Sequence, residues 1–155
     1  MKNLIYKKNK YILIIISLLG LIPYGLPLME KNGLVDFFEI KILDFTILYG
    51  ITILCFLSGI YWGLSINILI KSNLKLNYLL PALSIIPFMF AVMAVIVSNY
   101  LNIIFIVVGF LICQILDEIL FKHNVYFNWY ILLRRFLTVV VVTLMIYYYI
   151  ILTNV

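Results

Sequence analysis

A chain of 155 residues that is 66% hydrophobic and 11% charged, with a mean hydropathy of +1.21, carries more apolar surface than one small water-soluble core can hide. Lipid must be the solvent for most of it. The formal net charge of +5 would suggest nucleic acid in a soluble protein, but here it is accounted for by orientation and by contact with anionic headgroups. The expected partner is therefore membrane lipid, and no nucleic acid.

Residues 1–10 hold Lys2, Lys7, Lys8 and Lys10 ahead of a first apolar span over 11–29. The same pattern describes a secretory signal, but no small-x-small cleavage site follows Ile16, so the span is expected to be retained. It carries Pro23 well inside. Proline removes one backbone donor and frees the carbonyl four residues earlier, which predicts a kink. A segment from Glu30 to Leu43 follows, with Asp36 and Glu39 among apolar residues. It reads as an interfacial turn, because its carboxylates lack the spacing of a calcium loop.

The second span, 44–70, places Cys55, Gly59 and Gly63 at four-residue spacing, a smooth strip where another helix backbone can pack closely. Ser58, Tyr61 and Ser65 form a neighbouring strip, with Trp62 between them. Lys71 and Lys75 close this span. The third, 78–98, contains Leu83-Ser-Ile-Ile-Pro87-Phe88, an echo of Leu19-Gly-Leu-Ile-Pro23-Tyr24, and a second kink is expected at Pro87. The echo fades beyond six residues and reads as a chance match between two kinked helices.

The fourth span, 101–121, carries Gln114 and Asp117 three residues apart on one face. The fifth, 129–153, starts with Tyr130, Arg134 and Thr138, four apart and hence stacked. Each span meets the ~20 apolar residues that a bilayer crossing needs. With one histidine, His123, and two cysteines, the chain cannot supply a bis-histidine haem or a His/Cys₃ metal site. No metal and no cofactor are expected, and Cys55 and Cys113 read as small packing residues.

With five spans, nine of the 11 basic residues share one side: the four N-terminal lysines, Lys71, Lys75, Lys122, Arg134 and Arg135. Only Lys31 and Lys41 fall opposite, beside acidic neighbours. Short cytoplasmic loops accumulate Lys and Arg. The expected fold is thus an all-α integral membrane bundle of five helices in a single domain over 1–155, N-terminus cytoplasmic and C-terminus outside. Asp117 lies about one turn from the cytoplasmic end of its helix and Arg134 about one turn into the next, so an antiparallel hairpin brings them to similar depth. Charges within a span are costly unless paired. Tyr61, Trp62, Gln114, Asp117, Tyr130 and Arg134 are therefore the candidate polar cluster, structural or ligand-binding.

Phe56-Leu-Ser-Gly-Ile-Tyr-Trp-Gly63, Gln114-x-x-Asp117 and Trp129-Tyr-x-x-Leu-Arg-x-x-Leu-Thr138, together with Leu-Ile-Pro23, resemble a small inner-membrane family, a domain of unknown function common in proteobacteria that includes mammalian transmembrane protein sixty-nine. That family's pattern has a histidine where this chain has Tyr61. The resemblance implies fold and a bacterial inner-membrane location more than a reaction. The expected function is a non-enzymatic accessory or assembly factor for a larger membrane complex; the alternative is a binder or carrier of a small lipophilic molecule, quinone or lipid. An enzyme using Asp117 or Tyr61 as acid or base ranks lowest.

Overall fold

In lipid every backbone N–H and C=O must be satisfied internally, and long apolar runs without strand punctuation achieve this as helices. The computed structural model describes residues 2–31, 42–71, 76–97, 100–123 and 125–153. These form six helices: α1 Lys2–Leu19, α2 Ile22–Lys31, α3 Ile42–Lys71, α4 Leu76–Ile96, α5 Leu101–Lys122 and α6 Asn128–Thr153. Five stretches are long and apolar enough to cross a membrane: Lys10–Glu30, Ile42–Ile66, Leu79–Ile96, Leu101–Lys122 and Asn128–Thr153. They match the five expected spans to within a few residues. The acidic segment around Asp36 and Glu39 lies outside the described residues.

The first span is built from two helices, and the break has a local cause. Pro23 sits in the first turn of α2, so the helical ladder stops at Gly20 and Leu21. Side chains of α3 satisfy the backbone there: the Tyr49 hydroxyl donates to the Gly20 carbonyl at 3.1 Å and the Thr46 hydroxyl to the Pro23 carbonyl at 2.9 Å. From the far end of the bundle, the Tyr148 hydroxyl of α6 donates to the Tyr24 carbonyl. The expected kink at Pro23 is thus a full break. α4, by contrast, continues through Pro81 and the buried Pro87 without interruption, and the Ser58 hydroxyl of α3 donates to the Ser84 carbonyl beside the proline.

α3, α4, α5 and α6 pack in sequence, with α3 also against α5 and α2 against both α3 and α6. Leu54, Leu80, Ile106, Cys113, Leu120 and Met145 are completely buried between them. Close backbone approach occurs at Gly109, where an added Cβ would lie 2.7 Å from Leu54 Cδ1, and at Gly50, where it would lie 3.2 Å from Ile106 Cγ2. Gly59 and Gly63 do not play that part. Both are exposed, and a Cβ on either would meet nothing within 4 Å. The strip expected to pack against a neighbouring helix is therefore turned outward, because α3 buries the face carrying Leu54, Leu57, Ser58, Tyr61 and Ser65 instead.

α1 stands apart. Between residues 11 and 20 no side chain is buried, and Ile12, Leu13, Ile15, Ile16, Leu18 and Leu19 are exposed. The helix is held midway and at its C-terminal end: Lys10 places its ammonium 5.5 Å from the centre of the Trp129 ring on α6, a cation–π contact, and the hydrogen bonds at the break hold the C-terminal end.

Candidate functional site

The hairpin of α5 and α6 brings two ion pairs side by side. Arg134 Nε donates to Asp117 Oδ2 at 2.7 Å, with the Asp117 side chain 1% and the Arg134 side chain 12% exposed. Arg135 bonds Glu118 with Nε at 2.6 Å and Nη2 at 2.7 Å, on the outer surface of the same hairpin. Consecutive residues on each helix point to different faces, so one pair enters the bundle and the other leaves it.

Asp117 is further held from α3. The hydroxyl of Tyr61, itself buried, lies 2.9 Å from Oδ1. Each carboxylate oxygen thus has a donor, which offsets the cost of taking the charge out of water. Tyr126, in the turn between α5 and α6, adds a buried hydroxyl that faces the same pair. Burial, with the Asp117 charge adding to it, pushes that hydroxyl's pKa above the ordinary tyrosine value, so it stays protonated at neutral pH. Tyr130 packs against Tyr126 with ring centres 4.8 Å apart and planes tilted by 58°, at the edge of the charge pair.

Two residues grouped with this cluster on sequence grounds lie elsewhere. Trp62 is 48% exposed and faces outward beside Gly63: Tyr61 takes the inward direction, and a neighbour one position on is rotated by about 100°. Gln114 turns to the outer pair, its Nε2 donating to Glu118 Oε1 at 2.9 Å. It lines an outer groove with Glu118, Arg135 and Val142. Asp117 and Gln114 are close on the helix, but the one-residue step to Glu118 decides which partner Gln114 meets. Tyr126 was not singled out in the sequence; its position four residues before Tyr130 was the available signal.

Behind α1 lies a cavity of about 250 Å³. Its walls are Ile16, Ser17 and Gly20 of α1 and the break, Leu21 and Tyr24 of α2, and residues of α3, α5 and α6 that include Phe56, Phe110, Arg134, Thr138 and Val141. Two wall residues carry buried polar atoms without a hydrogen-bond partner, Arg134 Nη2 and the Tyr24 hydroxyl. Such atoms cost about 1–3 kcal/mol each when left unsatisfied, more for a charged group. Arg134 thus holds Asp117 through Nε while also lining the cavity, with its Nη2 buried and without a hydrogen-bond partner. No group of three or more His, Cys, Asp or Glu residues that could hold a metal occurs among the described residues.

Comparison with curated proteins and with solved structures gave no match. A family model does match, that of a protein of unknown function, DUF3429, over residues 10–150. The matched region runs from Lys10, midway along α1, to Ile150 near the end of α6, covering the break, the charge pair and the cavity, and the chain belongs to this family.

Proposed function

We propose that the protein binds a small lipophilic molecule in the cavity behind α1, as a single membrane domain of the bacterial inner membrane. The observation that carries this reading is the partly free Arg134 guanidinium in the wall of a cavity otherwise formed mainly by apolar side chains. A largely apolar pocket with a few polar groups is the usual form of a small-molecule site. The basic bias of the sequence puts the N-terminus in the cytoplasm and the C-terminus outside. Arg134 then lies in the cytoplasmic leaflet, within reach of molecules that partition into it. The likeness to transmembrane protein sixty-nine rests on the same residues, with Tyr61 at the family's histidine position. A catalytic role for Asp117 is disfavoured, since a carboxylate held by an arginine and a tyrosine is a poor proton shuttle.

A second reading, an accessory factor for a larger membrane complex, is favoured by one observation. Gly59 and Gly63, flanked by the exposed Phe56, Trp62 and Ile66, present a small-residue strip on the outside of α3, the kind of surface that a partner's helix can approach. Purification in mild detergent followed by native mass spectrometry separates the two. A bound organic molecule of a few hundred daltons is the outcome expected here; stoichiometric co-purifying subunits without such an adduct would favour the accessory reading. C-terminal fusions to periplasm-only and cytoplasm-only reporters test the orientation, and an active cytoplasmic reporter would overturn it.

A further inference from the structure

We propose that the occupant of the cavity is a single-chain amphiphile with an oxyanion head, a carboxylate or a phosphate, whose head is bound by Arg134 and whose chain runs along α6 towards Tyr24. This rests on the binding reading above and adds the chemistry of the ligand. Size comes first. A cavity of about 150 Å³ holds one benzene ring, so the 250 Å³ here accommodates one ring or one chain segment and not a two-chain lipid.

Shape favours the chain. Arg134, Leu137, Thr138 and Val141 all line the cavity; seven residues of helix separate the first from the last, about 10 Å at 1.5 Å per residue. The cavity is therefore a slot along α6, with the guanidinium at its cytoplasmic end. Its rim includes Ile16 on α1 and Phe56 on α3, both exposed, so a chain can enter sideways from the bilayer.

Charge selects the head. Among the described residues Arg134 is the one charged residue in the lining; its counter-ion Asp117 is bonded to Nε and is not part of the wall. The Tyr49 hydroxyl is committed to the Gly20 carbonyl. What the slot offers a ligand head is thus the Arg134 guanidinium, whose buried Nη2 has no partner and would gain one by a small side-chain adjustment; a charge-assisted hydrogen bond to an oxyanion is roughly twice as strong as one between neutral groups. A cationic head would find no acceptor on a guanidinium, and an ester would gain only the weaker bond.

The test uses the full chain purified in a non-ionic detergent and titrated with dodecanoate, dodecyl phosphate, methyl dodecanoate, dodecyltrimethylammonium and inorganic phosphate, with binding read from thermal shift and from native mass spectrometry. Both dodecyl oxyanions should bind roughly ten- to a hundredfold more tightly than the methyl ester, and the ammonium compound more weakly still. Inorganic phosphate should give no adduct; if it matched dodecyl phosphate, the chain would contribute nothing and the amphiphile proposal would fail. The ratio of dodecanoate to dodecyl phosphate affinity identifies which head the slot prefers, and either preference supports the proposal. Asp117→Asn combined with Arg134→Gln removes both charges together and so avoids stranding one; in that variant the oxyanion advantage should fall to within about threefold, with ester binding retained. Ser17→Phe, on the loosely packed α1, fills the slot and should abolish all binding. Equal affinity for dodecanoate and its methyl ester, both lost in Ser17→Phe, would overturn the oxyanion proposal while keeping the cavity. Ligand binding unchanged by Ser17→Phe would overturn the cavity reading itself.

Discussion

The Tyr61 hydroxyl lies 2.9 Å from Asp117 Oδ1 and 3.0 Å from the Cys113 carbonyl oxygen, so one proton from α3 serves two acceptors one turn apart on α5. This contact ties the second span to the fourth at the depth of the charge pair. Tyr61→Phe keeps the ring and removes only the hydroxyl. It should lower stability in detergent by roughly 1.5–3 kcal/mol, the range for a hydrogen bond to a charged group. A variant that melts with the parent would mean the hydroxyl contributes nothing to holding Asp117.

Asp117 and Arg134 should behave as one unit. Asp117→Asn strands a buried guanidinium and Arg134→Gln a buried carboxylate, each costing about 3 kcal/mol or more. The double variant should lose at least about 1 kcal/mol less than the sum. Thermal or chemical unfolding of the three variants completes the cycle, and strictly additive losses would contradict the coupling.

The neighbouring pair provides the contrast. Glu118 and Arg135 meet at 2.6 Å, as close as the inner pair, yet their side chains are 31% and 48% exposed. The outer pair even makes two hydrogen bonds to the inner pair's one, but it is far less buried. Glu118→Gln or Arg135→Gln should therefore unfold close to the parent; a loss equal to that of Asp117→Asn would indicate that the outer face is covered in the assembled protein.

The spans were legible because a run of apolar residues long enough to cross lipid has few alternatives; the proline rule was less decisive, since the chain breaks beside Pro23 whereas α4 continues through Pro87. The meeting of Asp117 with Arg134 was legible for a related reason: short connections fix the depth of each residue, and depth limits which charges can pair. Facing was harder to read. Around Gly59 two neighbouring strips competed, Cys55–Gly59–Gly63 and Ser58–Tyr61–Ser65, and the one that carries polar groups is the one that faces protein. The small-residue rule selected Gly59 and Gly63, whereas the close contacts fall at Gly50 and Gly109. Trp62 was misplaced with them. The cavity was invisible in the sequence for a different reason, since it exists only because α1, fixed at Lys10 and at the Gly20 break, does not settle onto the bundle between those points.

The glycine correction gives its own test. Gly109→Ala forces the buried Leu54 to shift, with Phe90 Cβ only 3.4 Å from the new methyl group, and should destabilise by about 1–3 kcal/mol. Gly59→Ala meets nothing within 4 Å and should be neutral, or stabilising by up to about 1 kcal/mol through helix propensity. The reverse order would restore the outer strip as the packing face.

Two adjacent residues of α1 test the central claim most directly. Ser17 lines the cavity, whereas Leu18 is exposed, 42% accessible, and does not. The organic content of the parent, Ser17→Phe and Leu18→Phe should be compared by mass spectrometry after purification in the same mild detergent, with thermal unfolding as the control for folding. The account predicts a small amphiphile retained by the parent and by Leu18→Phe and lost from a folded Ser17→Phe. Equal retention by both variants would contradict it.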